Sequence, residues 1–421
     1  MSEPTRYELP NGSRLLVQRM EGIRSAAFGI WVESGSRDEK AAENGSAHYM
    51  EHMIFKGGAA GSASQLAMKM DELGGQVNAF TTREYTCFYA RVPDYRLDDL
   101  TDLLFPMVFR PWIRPEDVET ERGVILEEMG MYSDDPSDLV GELTSRAIYA
   151  GNPLCRPILG TPASLKKLTA DSLRQWHTAH YGAERIFVTL VGAFEDAAVE
   201  RLKDRLSALP NGHAAKRRSP TMKTAVILKK KRTEQNHIQL TWPGLPLQDK
   251  RRAACQLFSD ILAGGMSSRL FQEVREKRGL CYAIAAPSAS YRDAGDFSIY
   301  TAAGRETEAQ ALEAIAAVLR ELQEHGVTEE ELARAKELNR ASMLLSLEST
   351  SFRMNRLAVC ELMQPGFYQS PEQSIERMEQ VTAEQIRSFA VETLRPSLVT
   401  LAAVGRLRPE EEYRAFLSSL G

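Results

Sequence analysis

The stretch LTADSLRQWHTAHY (Leu168–Tyr181) is answered by VTAEQIRSFAVETL (Val381–Leu394), and the strand-like segments that follow, RIFVTLVGAF and SLVTLAAVG, correspond as well. Such self-similarity signals a duplicated unit. Outward from this pair, the first half reads as strands at 14–18 and 25–33 and a helix over Ala47–Lys56, N-capped by Ser46 and stopped by Gly57-Gly58. A second helix capped by Ser62, with Leu66, Met70 and Leu73 as its apolar stripe, ends at Gly74-Gly75. Then come a hairpin, Gln76–Phe80 with Tyr85–Val92, and helices near 95–109, 116–131, 136–149 and 170–180. The second half repeats this order. IQLTWPG stands where AAFGIWVESG stood, a helix at Ala253–Leu262 stops at Gly264-Gly265, and SSRLFQEVREKRG parallels SASQLAMKMDELGG. A hairpin over Cys281–Thr301 and long helices at 305–324 and 328–349 follow. The expected organisation is two similar domains, 1–212 and 224–421, joined by a polar, basic, solvated linker at 213–223. The mixed element order predicts an α+β architecture with helices packed on mainly antiparallel sheets.

Bulk properties agree with two globular domains. A chain of 421 residues exceeds what one hydrophobic core usually serves. A net charge of -5 gives no electrostatic reason to expect nucleic acid or an acidic membrane as partner. No window is apolar enough to span a bilayer, and MSEPTRYELPNG lacks the features of a secretory signal, so a cytoplasmic location is expected. The five cysteines are scattered, with no CxxC pair, so any metal is bound by nitrogen and oxygen. The basic run Lys229–Arg232 reads as a strand edge without a function of its own.

Chemistry concentrates at His48-Tyr49-Met50-Glu51-His52. On a helix, positions 48 and 52 lie about 40° apart and one turn along, so both imidazoles can reach one ion from the same face. Glu51 can then address a water on that ion rather than the ion itself, and the order HxxEH is the inverse of the HExxH zinc-peptidase motif. Two histidines leave a hydrolytic zinc one protein ligand short. The helix beginning at Pro115 is the best source of the third. Val118, Ile125 and Met129 form its apolar stripe, Glu121 and Glu128 lie along one flank, and Glu127 points to the surface. Periodicity alone does not choose between Glu121 and Glu128.

ENGSAHYMEHMIFKG, GGQVNAFTTREYTCFYARV and ETERGVILEEMGMY together resemble the pitrilysin family of inverzincin peptidases, most closely the processing-protease branch that includes the mitochondrial processing peptidase β subunit. The resemblance spans nearly the whole chain. It implies one zinc per chain, held by His48, His52 and Glu128, with Glu121 supporting the site from behind and Glu51 as general base. It also implies that the second domain binds no metal and supplies Arg275 and Tyr282 to the substrate, and that Asn78, Ala79 and Phe80 on a strand edge contact it. The expected activity is hydrolysis of oligopeptides or unfolded segments, in a homodimer or clamshell that encloses the site. The alternative is a non-catalytic assembly or peptide-binding subunit, which in that family typically lacks an intact motif.

Overall fold

Threonine caps show why the duplicated stretches fold alike. Thr169 and Thr382 each stand at the N-cap of an 11-residue helix, and each side chain accepts the N–H three residues on, from Ser172 and Gln385. The computed structural model describes residues 3–420. Its first half carries β1 (Thr5–Glu8), β2 (Arg14–Arg19), β3 (Ser25–Val32), α1 (Ser46–Ile54), the short ribbon β4 (Gly57–Gly58) and β5 (Gly61–Ser62), and α2 (Ala63–Glu72). The hairpin β6 (Gln76–Thr81) and β7 (Thr86–Pro93) follows, then α3 (Leu97–Phe109), α4 (Pro115–Asp134), α5 (Pro136–Ile148), α6 (Pro162–Leu165), α7 (Ala170–His180), β8 (Ile186–Gly192) and α8 (Asp196–Ser207). The second half carries β9 (Val226–Lys230), β10 (Gln235–Pro243), α9 (Arg252–Ala263), a π-helical segment at Phe271–Glu276, β11 (Cys281–Ala285), β12 (Ser288–Ser290) and β13 (Gly295–Gly304). It ends in α10 (Glu308–His325), α11 (Glu329–Ser346), α12 (Thr350–Met363), α13 (Pro371–Glu379), α14 (Ala383–Thr393), β14 (Thr400–Gly405) and α15 (Glu410–Ser418).

Five strands of each sheet follow one topology. The first runs β1-β2-β8-β3-β7-β6 and the second β9-β14-β10-β13-β11, with β12 beside β13. Each holds one parallel pair, β2 with β8 and β9 with β14, in an otherwise antiparallel sheet. Central strands match in register, Ile30 opposite Val188 and Leu240 opposite Leu401. The architecture is α+β, as expected.

Every residue of β8 is buried, and in β3 only Ser25 is not, so the first sheet must be covered on both faces. On one face Phe28, Ile30 and Val188 pack with Leu100, Met107 and the apolar side of α1. On the other, Trp31, Phe187 and Val191 pack against Met354, Leu357, Ala358 and Leu362 of α12. In the second sheet, Ala402 and Val404 meet Val140 of α5, while Ile238 and Leu240 face α9, α10 and α14. Each sheet thus takes one covering helix from the opposite half of the chain.

The compact units accordingly cross the expected boundaries. One comprises the chain up to Met129 with Arg156–Arg218 and Ser346–Tyr368, and the other comprises Gly130–Cys155, Ser219–Leu345 and the chain from Gln369 on. The first unit holds α12 by charge as well as by packing: the carboxylate of Glu361, 1% exposed, lies 3.1 Å from Arg6 Nε and 3.5 Å from Arg14 Nη1. The expected solvated linker also needs correction. Arg217 is buried between Asp38 at 2.8 Å and Glu84 at 3.4 Å, and Arg185 Nε donates to the His213 carbonyl, so 213–218 is packed chain. Lys229 and Lys230 are exposed on the edge strand β9, a position where lysines discourage further pairing. Among the described residues, no helix is long and apolar enough to cross a membrane.

Candidate metal centre

α1 divides cleanly around its circumference. Tyr49, Met50, Met53 and Ile54 enter the core, which leaves His48, Glu51 and His52 together on the other side. Its start differs from expectation: Gly45, at φ 99°, is the N-cap, and Ser46 is already the first helical residue. The capping acceptor comes from outside the helix. The buried Glu39 carboxylate accepts N–H groups of Gly45 and Ala47 and the side-chain amide of Asn44, each at 2.8 Å. A carboxylate suits the positive end of the helix.

α4 is locked to α1 through several joints. The Tyr49 hydroxyl donates to the Val118 carbonyl. Beyond α1, Trp112 N donates to Gly57 O at 3.0 Å and Ala59 N to Arg110 O at 2.9 Å, lacing the end of one helix to the approach of the other. A Cβ at Gly58 would sit 2.5 Å from the Arg110 carbonyl, so only glycine permits this approach. Along α4, Val118, Ile125 and Glu121 are buried, Glu128 is half-buried and Glu127 is exposed.

These helices bring His48, His52 and Glu128 together, with one ligand atom from each all within 4.8 Å of one another. Glu128 Oε2 lies 3.6 Å from His48 Nε2 and 3.5 Å from His52 Nε2. Tetrahedral zinc with bonds near 2.0–2.1 Å spaces its ligands by about 3.3–3.5 Å, so the donor types and the two distances from Glu128 to the imidazoles suit that ion. No second such group of three occurs among the described residues. Behind the site, Glu121 Oε2 stands 2.9 Å from His52 Nδ1, and its other oxygen pairs with Lys56 Nζ. This arrangement fixes which imidazole nitrogen faces the metal position. Burial, then His52, pushes His48 down to about 4 against the pull of Glu128, which keeps that imidazole neutral and able to ligate at neutral pH. Burial also lowers His52, but Glu128 and Glu121 reverse it, and the net direction is up. The neighbouring His52 holds Glu128 below the usual carboxylate range.

Glu51 faces the hairpin. Burial raises its carboxyl, while Thr81 and His52 oppose the rise, and the Thr81 hydroxyl donates to Glu51 Oε2. Asn78, Ala79 and Phe80 lie on β6, the edge strand of the first sheet. Asn78 is exposed, Ala79 packs toward the core shared with α1, and Phe80 packs on Trp31, Tyr85 and Tyr89. In the second unit, Arg275 lies in the π-helical segment with its guanidinium 5.8 Å from the Tyr282 ring centre. Tyr282 is 72% exposed on the edge strand β11, where the register shifts between Cys281 and Ala283. Sequence reading missed Glu39, Lys56 and Thr81. Lys56 and Thr81 each stand within the motif-bearing segments, yet only their contacts mark them.

A duplicated α+β chain with a His–His–Glu centre on two laced helices is the class that fold and site define. Residues 14–162 match the model described as insulinase (peptidase family M16), and residues 167–339 match the peptidase M16 inactive domain. The chain is 39% identical to an uncharacterized zinc protease of Streptomyces coelicolor, covering 97% of this chain and 91% of that one. It is 36% identical to the uncharacterized zinc protease YmxG of Bacillus subtilis, covering 91% and 94%. The fold resembles a peptidase M16 inactive domain structure from Pseudomonas fluorescens, with TM-score 0.90, 21% identity and coverage of 97% and 99%. The chain therefore belongs to peptidase family M16, the pitrilysin or insulinase family of zinc peptidases.

Proposed function

We propose that the protein is a zinc metalloendopeptidase that hydrolyses oligopeptides or unfolded protein segments. The observation that carries this reading is the convergence of His48, His52 and Glu128 within 4.8 Å, with the Glu51 carboxylate close enough to feel the charge of His52 and Glu128. Zinc held by these three residues would supply a Lewis acid that polarises a carbonyl and lowers the pKa of water. Glu51 takes one proton from the attacking water and returns it to the amine as the peptide C–N bond breaks, which balances the hydrolysis. Glu121 acts one step back, holding His52 by its Nδ1.

The substrate would add as a strand to the free edge of β6, alongside Asn78, Ala79 and Phe80. Tyr282, exposed beside Arg275, is the hydroxyl donor that the family resemblance assigns to the substrate. Homologues named zinc proteases support a peptidase, and the intact donor set favours it over a non-catalytic subunit.

The test is Glu51→Gln, assayed with a quenched fluorescent peptide alongside zinc analysis. We expect zinc retained and hydrolysis reduced by at least about 100-fold, the scale of a general base. Activity at the wild-type level would remove Glu51 as base, and chelator-insensitive hydrolysis would remove zinc.

A further inference from the structure

We propose that Thr81 is a positioning residue that aims the Glu51 carboxylate and ties it to the strand on which a peptide would dock, an inference that rests on the peptidase reading. β6 presents alternate residues to alternate faces, so Val77, Ala79 and Thr81 share the side turned toward α1. Thr81 is the last residue of the strand, paired with Thr86, and its hydroxyl donates to Glu51 Oε2. Oε1 of Glu51 is then the oxygen left to take a proton. The other face of the same strand end carries Phe80, packed on Trp31.

Thr81 is itself firmly placed. The turn beyond it is closed by Thr82 N to Tyr85 O at 2.8 Å and by the Thr82 hydroxyl to the same carbonyl at 2.9 Å. Glu84 in that turn is pinned by buried Arg37 at 2.7 Å. Threonine, branched at Cβ, has few rotamers to lose, so its hydroxyl delivers a fixed direction. Among the described residues β6 has no strand on its outer side. A peptide added there would order the strand whose end holds the base, so docking and base alignment share one element.

Removing the donor while keeping the shape isolates this role. Thr81→Val should lower kcat by about 10- to 100-fold, the cost of a misaligned base, with KM within about twofold of wild type. Zinc content should be unchanged. Thr81→Ser, which restores a donor, should recover most of the loss, and Thr81→Ala, read in the same way, serves if the valine variant does not fold. Wild-type kcat in Thr81→Val, loss of zinc from it, or a serine variant as impaired as the valine one would each overturn the assignment while leaving the peptidase reading intact. Wild-type protein that carries zinc yet cleaves no peptide would overturn both.

Discussion

At Glu121 one carboxylate, 2% exposed, faces Lys56 with one oxygen and His52 with the other. The lysine anchors the carboxylate so that its second oxygen stays on the imidazole. Lys56→Met and Glu121→Gln should each weaken zinc binding by about 10- to 100-fold, the usual cost of losing an outer partner of a metal ligand. Competition with a chromophoric chelator measures this directly, and wild-type affinity in both variants would contradict it. His48, Glu51 and His52 were legible in the sequence because their relation is local, set by the helical repeat alone. The choice between Glu121 and Glu128 was not, since both lie on one flank of α4, and the resemblance supplied it. In the structure Glu128 stands beside both imidazoles and Glu121 behind one of them. Thr81 and Lys56 left no trace because a hydrogen bond between residues far apart in sequence has no period.

Among the elements, α12 shows where sequence reading ran out. Met354, Leu357, Ala358 and Leu362 have helical spacing and were open to discovery, but nothing in them says that they cover a sheet built by the other half of the chain. The same holds for α5. The repeat pointed to many of the strands and helices, because each copy carries its own caps and patterns, but α12 and α13 were not read from it, and partnership between distant elements depends on surfaces that complement one another in three dimensions. Glu361 turns this into a prediction. Glu361→Ala takes one of two carboxylates from both Arg14 and Arg6, which keep Glu33 at 2.5 Å and Glu8 at 2.8 Å, and should destabilise the first unit by about 1.5–3 kcal/mol. Urea denaturation reads the change, and a loss below about 1 kcal/mol would mean that packing alone holds α12.

Across the whole molecule, acid stability follows from a histidine outside the metal centre. His180 stacks on Trp176 and its Nδ1 meets Ser34 Oγ at 2.8 Å. Burial, then Arg185, pushes it from 6.5 down to about 4. Above pH 6.5 the imidazole is neutral in both states, so it contributes no pH dependence. Between 6.5 and about 4 the unfolded chain takes up a proton that the folded chain refuses, so stability falls as pH falls through that window. Denaturation series at pH 7 and pH 5 should show this loss, and His180→Gln should shrink it; an unchanged slope in the variant would assign the effect elsewhere. The resemblance also implies a homodimer or clamshell that encloses the site; we propose the homodimer, and a monomer by sedimentation in the active protein would remove it. The account rests most heavily on the metal centre formed by α1 and α4. Zinc analysis of the purified wild type against His52→Ala and Glu128→Ala tests it most directly: about one zinc per chain in the wild type and a small fraction of that in either variant is the predicted result, given the three-ligand geometry. Full zinc content retained in both variants would contradict it.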